Sequence, residues 1–340
     1  MKKALLLCLA FGLLSPFSCF PKASPKFTNL LVFPYQGQVL TRGTLVKAIQ
    51  RGKSHIRIAC PLLNDPHIVS ALEHAAKKGV QVQIIVGKHK ENAPLLRTRA
   101  PRISARQRGN AFSDGFTDMN ARYLVVDDNL LLFSGVPFTK EKLTPSAQGI
   151  FPQGCRGFGY IIHDKAVIGE VLRIFKMDWA SKRVLPKGGP VIWGPDNVRS
   201  QWLFKLKQAQ ASVMVMTPHI TDEGLVATLA QLSKENVKIK VLTMAFKPQS
   251  KKTAHEKNCA LLRKNGVDLH YFPIGKKTSH IVEGTYILID ESQLLLNTAH
   301  MNLNAIEQHR QFGIVTMNAL SVQEFLKVFN YDWQRAQRRV

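Results

Sequence analysis

Acidic residues are scarce in this chain: 23 Asp and Glu stand against 47 Lys and Arg, a formal net charge of +24. That imbalance governs what the protein meets, and anionic phospholipid and nucleic acid are the partners it implies. Cysteine is scarce too. Beyond the N-terminal segment only Cys60, Cys155 and Cys259 remain, an odd number at wide spacing, which excludes a disulfide framework and a cysteine metal site. Cys60, beside Pro61 in an apolar run, reads as a small core residue. After the first residues there is no apolar run long enough to span a bilayer.

That first stretch has Met1-Lys2-Lys3, an apolar run from Ala4 to Leu14, then Ser15-Pro16-Phe17-Ser18. It reads as a secretory signal peptide over residues 1–24, with an uncleaved anchor as the alternative, so the protein is expected to be exported. Cys19 raises lipid modification, for which Pro16-Phe17-Ser18 is a poor leader. The rest of the chain is 45% hydrophobic over its 340 residues as a whole and is long enough to bury a large core as two lobes.

The chain also repeats itself. Arg156, Phe158, Gly159, Phe175, Asp178 and Trp179 recur as Arg310, Phe312, Gly313, Phe329, Asp332 and Trp333 at an ungapped offset of 154 (312 − 158). Upstream, Pro61, Asp65, Leu72, Val80 and Val82 meet Pro218, Asp222, Leu229, Val237 and Ile239 at an offset of 157 (218 − 61). Between these blocks Tyr123, Asp127 and Leu131 meet Tyr286, Asp290 and Leu294 at an offset of 163 (290 − 127). Two copies of so long a unit predict a duplicated domain packed about a pseudo-twofold axis. The expected lobes are residues 25–185 and 186–340, joined by the Gly- and Pro-rich stretch 182–197.

Within each copy, apolar runs such as Ile56–Cys60 and Val80–Val86 flank a helix from Pro66 to Lys78 stopped by Gly79, a β-α-β unit that favours parallel pairing. Tyr123–Val126 and Leu130–Phe133 read as a hairpin around Asp127-Asp128-Asn129, repeated as Tyr286–Ile289 and Gln293–Leu296. Lys165–Trp179 and Leu320–Trp333 read as closing helices. The fold class expected is α/β, two lobes each with a mixed, mainly parallel sheet flanked by helices. Lys88, Lys90, Arg97, Arg99, Arg102, Arg106 and Arg108 stand against one acid, Glu91, with no helical periodicity. They read as an exposed basic loop able to bind a polyanion, without the aromatic interleaving that base stacking needs. Lys251, Lys252, Lys257, Arg263 and Lys264 hold the matching place in copy two.

These features resemble the phospholipase D superfamily over nearly all of the chain after the leader. Members carry His-x-Lys-x4-Asp-x6-Gly-Ser-x-Asn twice, one motif from each lobe. The resemblance implies a single site at the lobe interface, formed by one chain without a second subunit. One His attacks phosphorus, the other protonates the leaving group, and Lys and Asn hold phosphate oxygens, with no metal or cofactor. Registered on Asp127 and Asp290, the first copy reads Asn120-x-Arg122-x4-Asp127-x6-Ser134-Gly135-x-Pro137. The second reads Glu283-x-Thr285-x4-Asp290-x6-Asn297-Thr298-x-His300. Neither copy has the His or the Lys, and the acid that orients the His in family enzymes falls at Gly157 and Gln311.

Other histidines replace these poorly. His163-x-Lys165 imitates the motif outside its register, and His280 is ten residues from Asp290 instead of seven. His300 stands at a phosphate-binding Asn position and could reach the cleft. Asp127 and Asp290 open tight turns, where Asp bonds local backbone whatever the chemistry. Arg122 could bind a phosphate bidentately, or be one more surface Arg. Three readings follow: a degenerate phospholipase-D-like protein binding anionic phospholipid or another polyanion; a cardiolipin-synthase-like phosphatidyltransferase or phosphodiesterase rearranged around Arg122, Thr298 and His300; and a nuclease-like binder of nucleic acid.

Overall fold

A computed structural model describes residues 27–33, 42–143, 155–245, 253–272 and 281–337. The leader, His280, Lys251 and Lys252 lie outside them. In the first lobe the order is β1 (Phe27–Phe33), α1 (Arg42–Gln50), β2 (His55–Cys60), α2 (Pro66–Lys77), β3 (Gln81–Val86), a 3-10 turn (Lys90–Asn92), α3 (Ala93–Leu96), β4 (Ile103–Gln107), β5 (Asp118–Met119), β6 (Tyr123–Val126), β7 (Leu130–Ser134), α4 (Lys140–Leu143), β8 (Cys155–Ile162) and α5 (Lys165–Trp179). The second runs β9 (Val191–Gly194), α6 (Val198–Leu206), β10 (Ser212–Met216), α7 (Glu223–Lys234), β11 (Lys238–Met244), α8 (Ala254–Lys264), β12 (Asp268–Phe272), β13 (Ile281–Val282), β14 (Thr285–Ile289), β15 (Gln293–Asn297), α9 (Leu303–Glu307), β16 (His309–Thr316) and α10 (Ala319–Arg335).

Local chemistry places these elements where the pattern predicts. Asp65 caps α2 by accepting the N–H groups of His67 and Ile68, with Pro66 opening the helix. Asp222 does the same for α7 through Leu225. Each cap carboxylate also holds an arginine from the preceding helix, Arg42 at 2.7 Å and Arg199 at 2.9 Å. The Gly- and Pro-rich stretch holds more than a connection, because Val191–Gly194 forms β9 against β16.

Among the described residues each lobe is built on an eight-stranded sheet, β1-β8-β7-β6-β2-β3-β4 with β13 also on β8 in the first and β12-β11-β10-β14-β15-β16-β5 with β9 also on β16 in the second. Parallel pairing is limited to β2-β3-β4, β10-β11-β12 and the strands described next, while the hairpins turn the remaining pairs antiparallel. The expected parallel predominance therefore holds for only part of each sheet. β5 of the first lobe joins β16 of the second, and β13 of the second joins β8 of the first. Each lobe thus lends a strand to the other.

Side chains cross in the same way. Arg156 of the first lobe holds Asp332 of the second in a bidentate pair at 2.7 Å, and Arg310 of the second holds Asp178 of the first at 2.9 Å. Tyr123 meets Phe312 at 5.2 Å between ring centroids, and Tyr286 meets Phe158 at 4.6 Å. The repeated Arg, Asp, Tyr and Phe are thus the residues that join the lobes. They sit in a central core with α5 and α10, flanked by an outer core under α1 and α2 and another under α6, α7 and α8.

Candidate functional site

The two lent strands deliver the motif positions to one place. Asn120 follows β5 and donates its N–H to Arg310 O, while Glu283 follows β13 and donates its N–H to Arg156 O, both at 2.8 Å. They are equivalent residues in equivalent backbone settings, at the foot of the Arg–Asp pairs.

Their side chains do different things. Asn120 Nδ2 lies 2.8 Å from His309 Nδ1. Glu283, 7% exposed, pairs with Lys142 Nζ at 3.0 Å and with Arg122 Nη2 at 3.4 Å. Burial pushes the Glu283 carboxyl up, but Arg122, Lys142 and His300 together pull it below the usual range. Arg122 is buried, not on the surface, and also donates to Gly135 O at 2.6 Å. A carboxylate of the protein therefore already pairs with both of these cations.

Around this ion triad stand histidines. Burial drives the His300 imidazole down to about 4 against the pull of Glu283, so the ring is neutral at neutral pH. Its Nε2 is buried with no hydrogen-bond partner among the described residues. The His219 ring stacks at 5.7 Å from it, and burial lowers His219 and His309 as well. His219 follows β10 at the carboxyl end of a parallel pair, where open α/β sheets place their ligands.

Several expected ligands are already engaged. Thr285 Oγ1 lies 2.8 Å from Thr217 Oγ1, and Thr298 donates to Gln311 Oε1 at 2.7 Å while accepting from Phe312 N. Ser134 turns onto its own loop, donating to Val136 O. At Gly157 a Cβ would meet Val136 Cγ2 at 2.6 Å, so no acid fits there without a shift. His163 lies at the far end of β8, exposed, against Asn129 O.

Asp127 and Asp290 are remote from the cleft and their bonding is not local. Asp127 accepts the N–H groups of Lys53, Ser54 and His55, and Asp290 those of Gln210, Ala211 and Ser212. Both sit at positive φ, 49° and 47°, and these donors outweigh burial to hold both carboxyls low. The motif Asp in each lobe is a clamp on the turn before β2 or β10.

The basic stretch is not one loop. Lys88, Lys90, Arg97, Arg99 and Arg102 are exposed, but the segment forms the 3-10 turn, α3 and the edge strand β4. Arg106 and Arg108 fasten the end of α5: Arg106 donates to Trp179 O at 2.8 Å and Arg108 to Asp178 O at 2.6 Å. Helix C-termini leave carbonyls unsatisfied, and cations are favoured there. In the second lobe Lys257, Arg263 and Lys264 ride on α8.

Sequence reasoning missed Lys142, His219 and His309. His219 follows Pro218 where the first copy has Leu62, and His309 precedes Arg310 where the first copy has Cys155. A His present in only one copy beside a repeated residue was the available signal. Among the described residues no group of three or more His, Cys, Asp or Glu is placed to hold a metal ion, and no helix is long and apolar enough to cross a membrane.

Two lobes with exchanged motif strands over one cleft define a phospholipase-D-type fold. A family model described as "Cardiolipin synthase, PLD-like domain" matches residues 45–179 and 203–333, and the chain belongs to that family. Among solved structures, phosphatidylserine synthase of Haemophilus influenzae Rd KW20 is similar at TM-score 0.63 and 12% identity, over 87% of this chain and 84% of that one. Polyphosphate kinase of Porphyromonas gingivalis is similar at TM-score 0.63 and 13% identity, over 89% of this chain. This chain spans 46% of the kinase's length. No curated protein sequence matches the chain.

Proposed function

We propose that this is an exported phospholipase-D-like protein that binds anionic phospholipid through its basic faces and does not turn phosphodiesters over. The observation that carries the reading is Glu283 buried against Arg122 and Lys142. A phosphate entering there meets a fixed negative charge and would have to break two ion pairs to reach the cations. Asn120 and Glu283, at the two motif positions, supply neither a strong nucleophile nor an imidazole acid. The charge of +24 supplies attraction to an anionic bilayer without the cleft. The test is incubation of the chain without its leader with mixed phospholipids and a primary alcohol, with mass spectrometry for phosphatidyl-alcohol and phosphatidic acid. Parallel sedimentation uses phosphatidylglycerol vesicles at rising salt. No product, with vesicle binding that weakens as salt screens it, is expected; salt-independent binding would sink the electrostatic part. Preference for a single-stranded oligonucleotide over vesicles would move the reading to nucleic acid.

A second reading has its own observation. His300, His219 and His309 converge on the cleft, and His300 Nε2 has no hydrogen-bond partner among the described residues. A rearranged phosphodiesterase would lose its products in both His300→Ala and His309→Ala. Unchanged trace turnover in both variants would remove it.

A further inference from the structure

Between β4 and β5 the first lobe carries a short projection, residues 109–115, with an apolar ring at its apex. Phe112 is 99% exposed, the most exposed large apolar side chain among the described residues. A solitary exposed apolar residue needs no explanation on an ordinary surface. What sets this one apart is how firmly its backbone is held. Asp114 Oδ2 accepts the N–H groups of Gly109 and Asn110, both at 2.9 Å, and Asn110 Oδ1 accepts that of Phe112 at 3.0 Å. Asn110 O accepts the N–H of Asp114 at 2.8 Å, closing the loop on itself. Burial pushes the Asp114 carboxyl up, but its Asn110, Ser181 and Gly109 donors together hold it below the usual range. Gly109 and Gly115 sit at φ of 127° and 77°, where the chain turns out after β4 and back toward β5. At Gly109 a Cβ would also meet Thr117 O at 2.8 Å.

The projection stands against the end of α5 and the chain beyond it. Ser181 Oγ donates to Asp114 and lies 3.3 Å from Ser113 Oγ. The Arg183 stem lies so close over Gly115 that a Cβ there would meet its Cγ at 3.2 Å. Arg106 lays its guanidinium on the Trp179 ring, 4.4 Å from the centroid. Arg106, Lys182 and Arg183 are all exposed. Residues 102–116 and 180–189 together hold six Arg and Lys and one acid, Asp114. That acid is buried and engaged by the loop itself, so the surface around Phe112 is positive without an exposed carboxylate from these segments.

We infer that Phe112 is a wedge that enters an anionic bilayer, with Arg106, Lys182 and Arg183 at its foot meeting the lipid phosphates. The inference rests on the phospholipid-binding reading and gives it a point of entry. Phe has no polar atom, so no hydrogen bond is lost as the ring passes the headgroups, and burying it strengthens binding about tenfold or more. Arginine and lysine stems lie along apolar surface while their charges stay at phosphate level. An apolar insert joined to basic charge is the pair of signals that stable surface attachment takes. Because the loop is held by its own hydrogen bonds, docking costs little conformational entropy. Single-stranded nucleic acid would need further aromatic faces along a groove. The other aromatic residue of the projection's stretch, Phe116, is buried under Arg310.

The test uses the exported form, without its leader, and phosphatidylglycerol vesicles. Phe112→Ser should weaken affinity in sedimentation about tenfold or more, with an unchanged melting temperature because the ring lies outside the cores. Phe112→Trp should keep the affinity, and its added emission should shift to the blue and be quenched by bromine carried on the lipid acyl chains. Lys182→Ala should weaken binding about fivefold. Phosphatidylcholine vesicles at the same concentration should leave the added emission unchanged. Equal affinity of Phe112→Ser and wild type, or an added Trp that bromolipid does not quench, would overturn the inference; wild-type binding would then leave the surface reading intact. No vesicle binding by the wild-type chain would sink that reading and the wedge with it.

Discussion

Arg156 and Arg310 hold the same place in the two lobes and do the same work, whereas Asn120 and Glu283, one hydrogen bond away, share a place and differ in everything else. Arg156 gives both arms to Asp332; Arg310 takes Asp178, Asp196 and Gly194 O. Removing one partner of such a pair strands a buried charge at a cost of about 3–5 kcal/mol, so drift at either position breaks the joint between the lobes. Glu283 was accommodated because Arg122 and Lys142 could face it, and Asn120 because His309 could.

That contrast can be broken most directly at the joint. Arg310→Ala should cost about 3–5 kcal/mol in urea unfolding, because it strands Asp178 and Asp196; a loss below about 1 kcal/mol, the size of a surface pair, would show that these carboxylates are solvated. Next comes the cleft. Glu283→Gln should cost about 1–3 kcal/mol, yet raise affinity for inorganic phosphate measured by calorimetry, since Arg122 and Lys142 are released. If phosphate affinity does not rise, the cations are not poised for an anion. The paired clamps test the symmetry itself: Asp127→Ala and Asp290→Ala should each lose about 1–2 kcal/mol, and similar amounts, because each carboxylate holds three backbone N–H groups.

The smallest effect is in pH. Because His300 is held down to about 4, the unfolded chain takes a proton that the folded one refuses as pH falls from about 6.5 toward that value. Its contribution is complete above that window and lost on acidification through it, at no more than about 1.4 kcal/mol per pH unit. Glu283, Asp127 and Asp290, all held low, act in the same direction but only below the ordinary carboxyl range. His300→Asn should therefore flatten the fall in melting temperature between pH 7 and 5; an unchanged slope would assign it to His219, His255 and His309, which burial also lowers.

Most of the scaffold was legible because its determinants are local or repeated. Asp65 with Pro66 and Gly79 bounds α2, alternating apolar runs mark the hairpins, and the Arg–Asp–Trp block recurs because both copies face the same joint. The site was legible only as positions. That Asn120 and Glu283 occupy the motif register followed from counting seven residues back from Asp127 and Asp290. That Glu283 is clasped by Lys142, or that Asn120 meets His309, did not, because those partners come from elements with no fixed spacing to the motif.

Read alone, the chain is a duplicated α/β unit with a large positive charge and motif positions without His or Lys. Periodicity, capping and internal identity act over a few residues or between copies, and can be read off the chain. Tertiary structure decided which copy each Arg pairs with, that Arg122 is buried against Glu283, and that Arg106 and Arg108 close the end of α5. These depend on long-range contacts between lobes and on volumes left by packing, which no local pattern encodes.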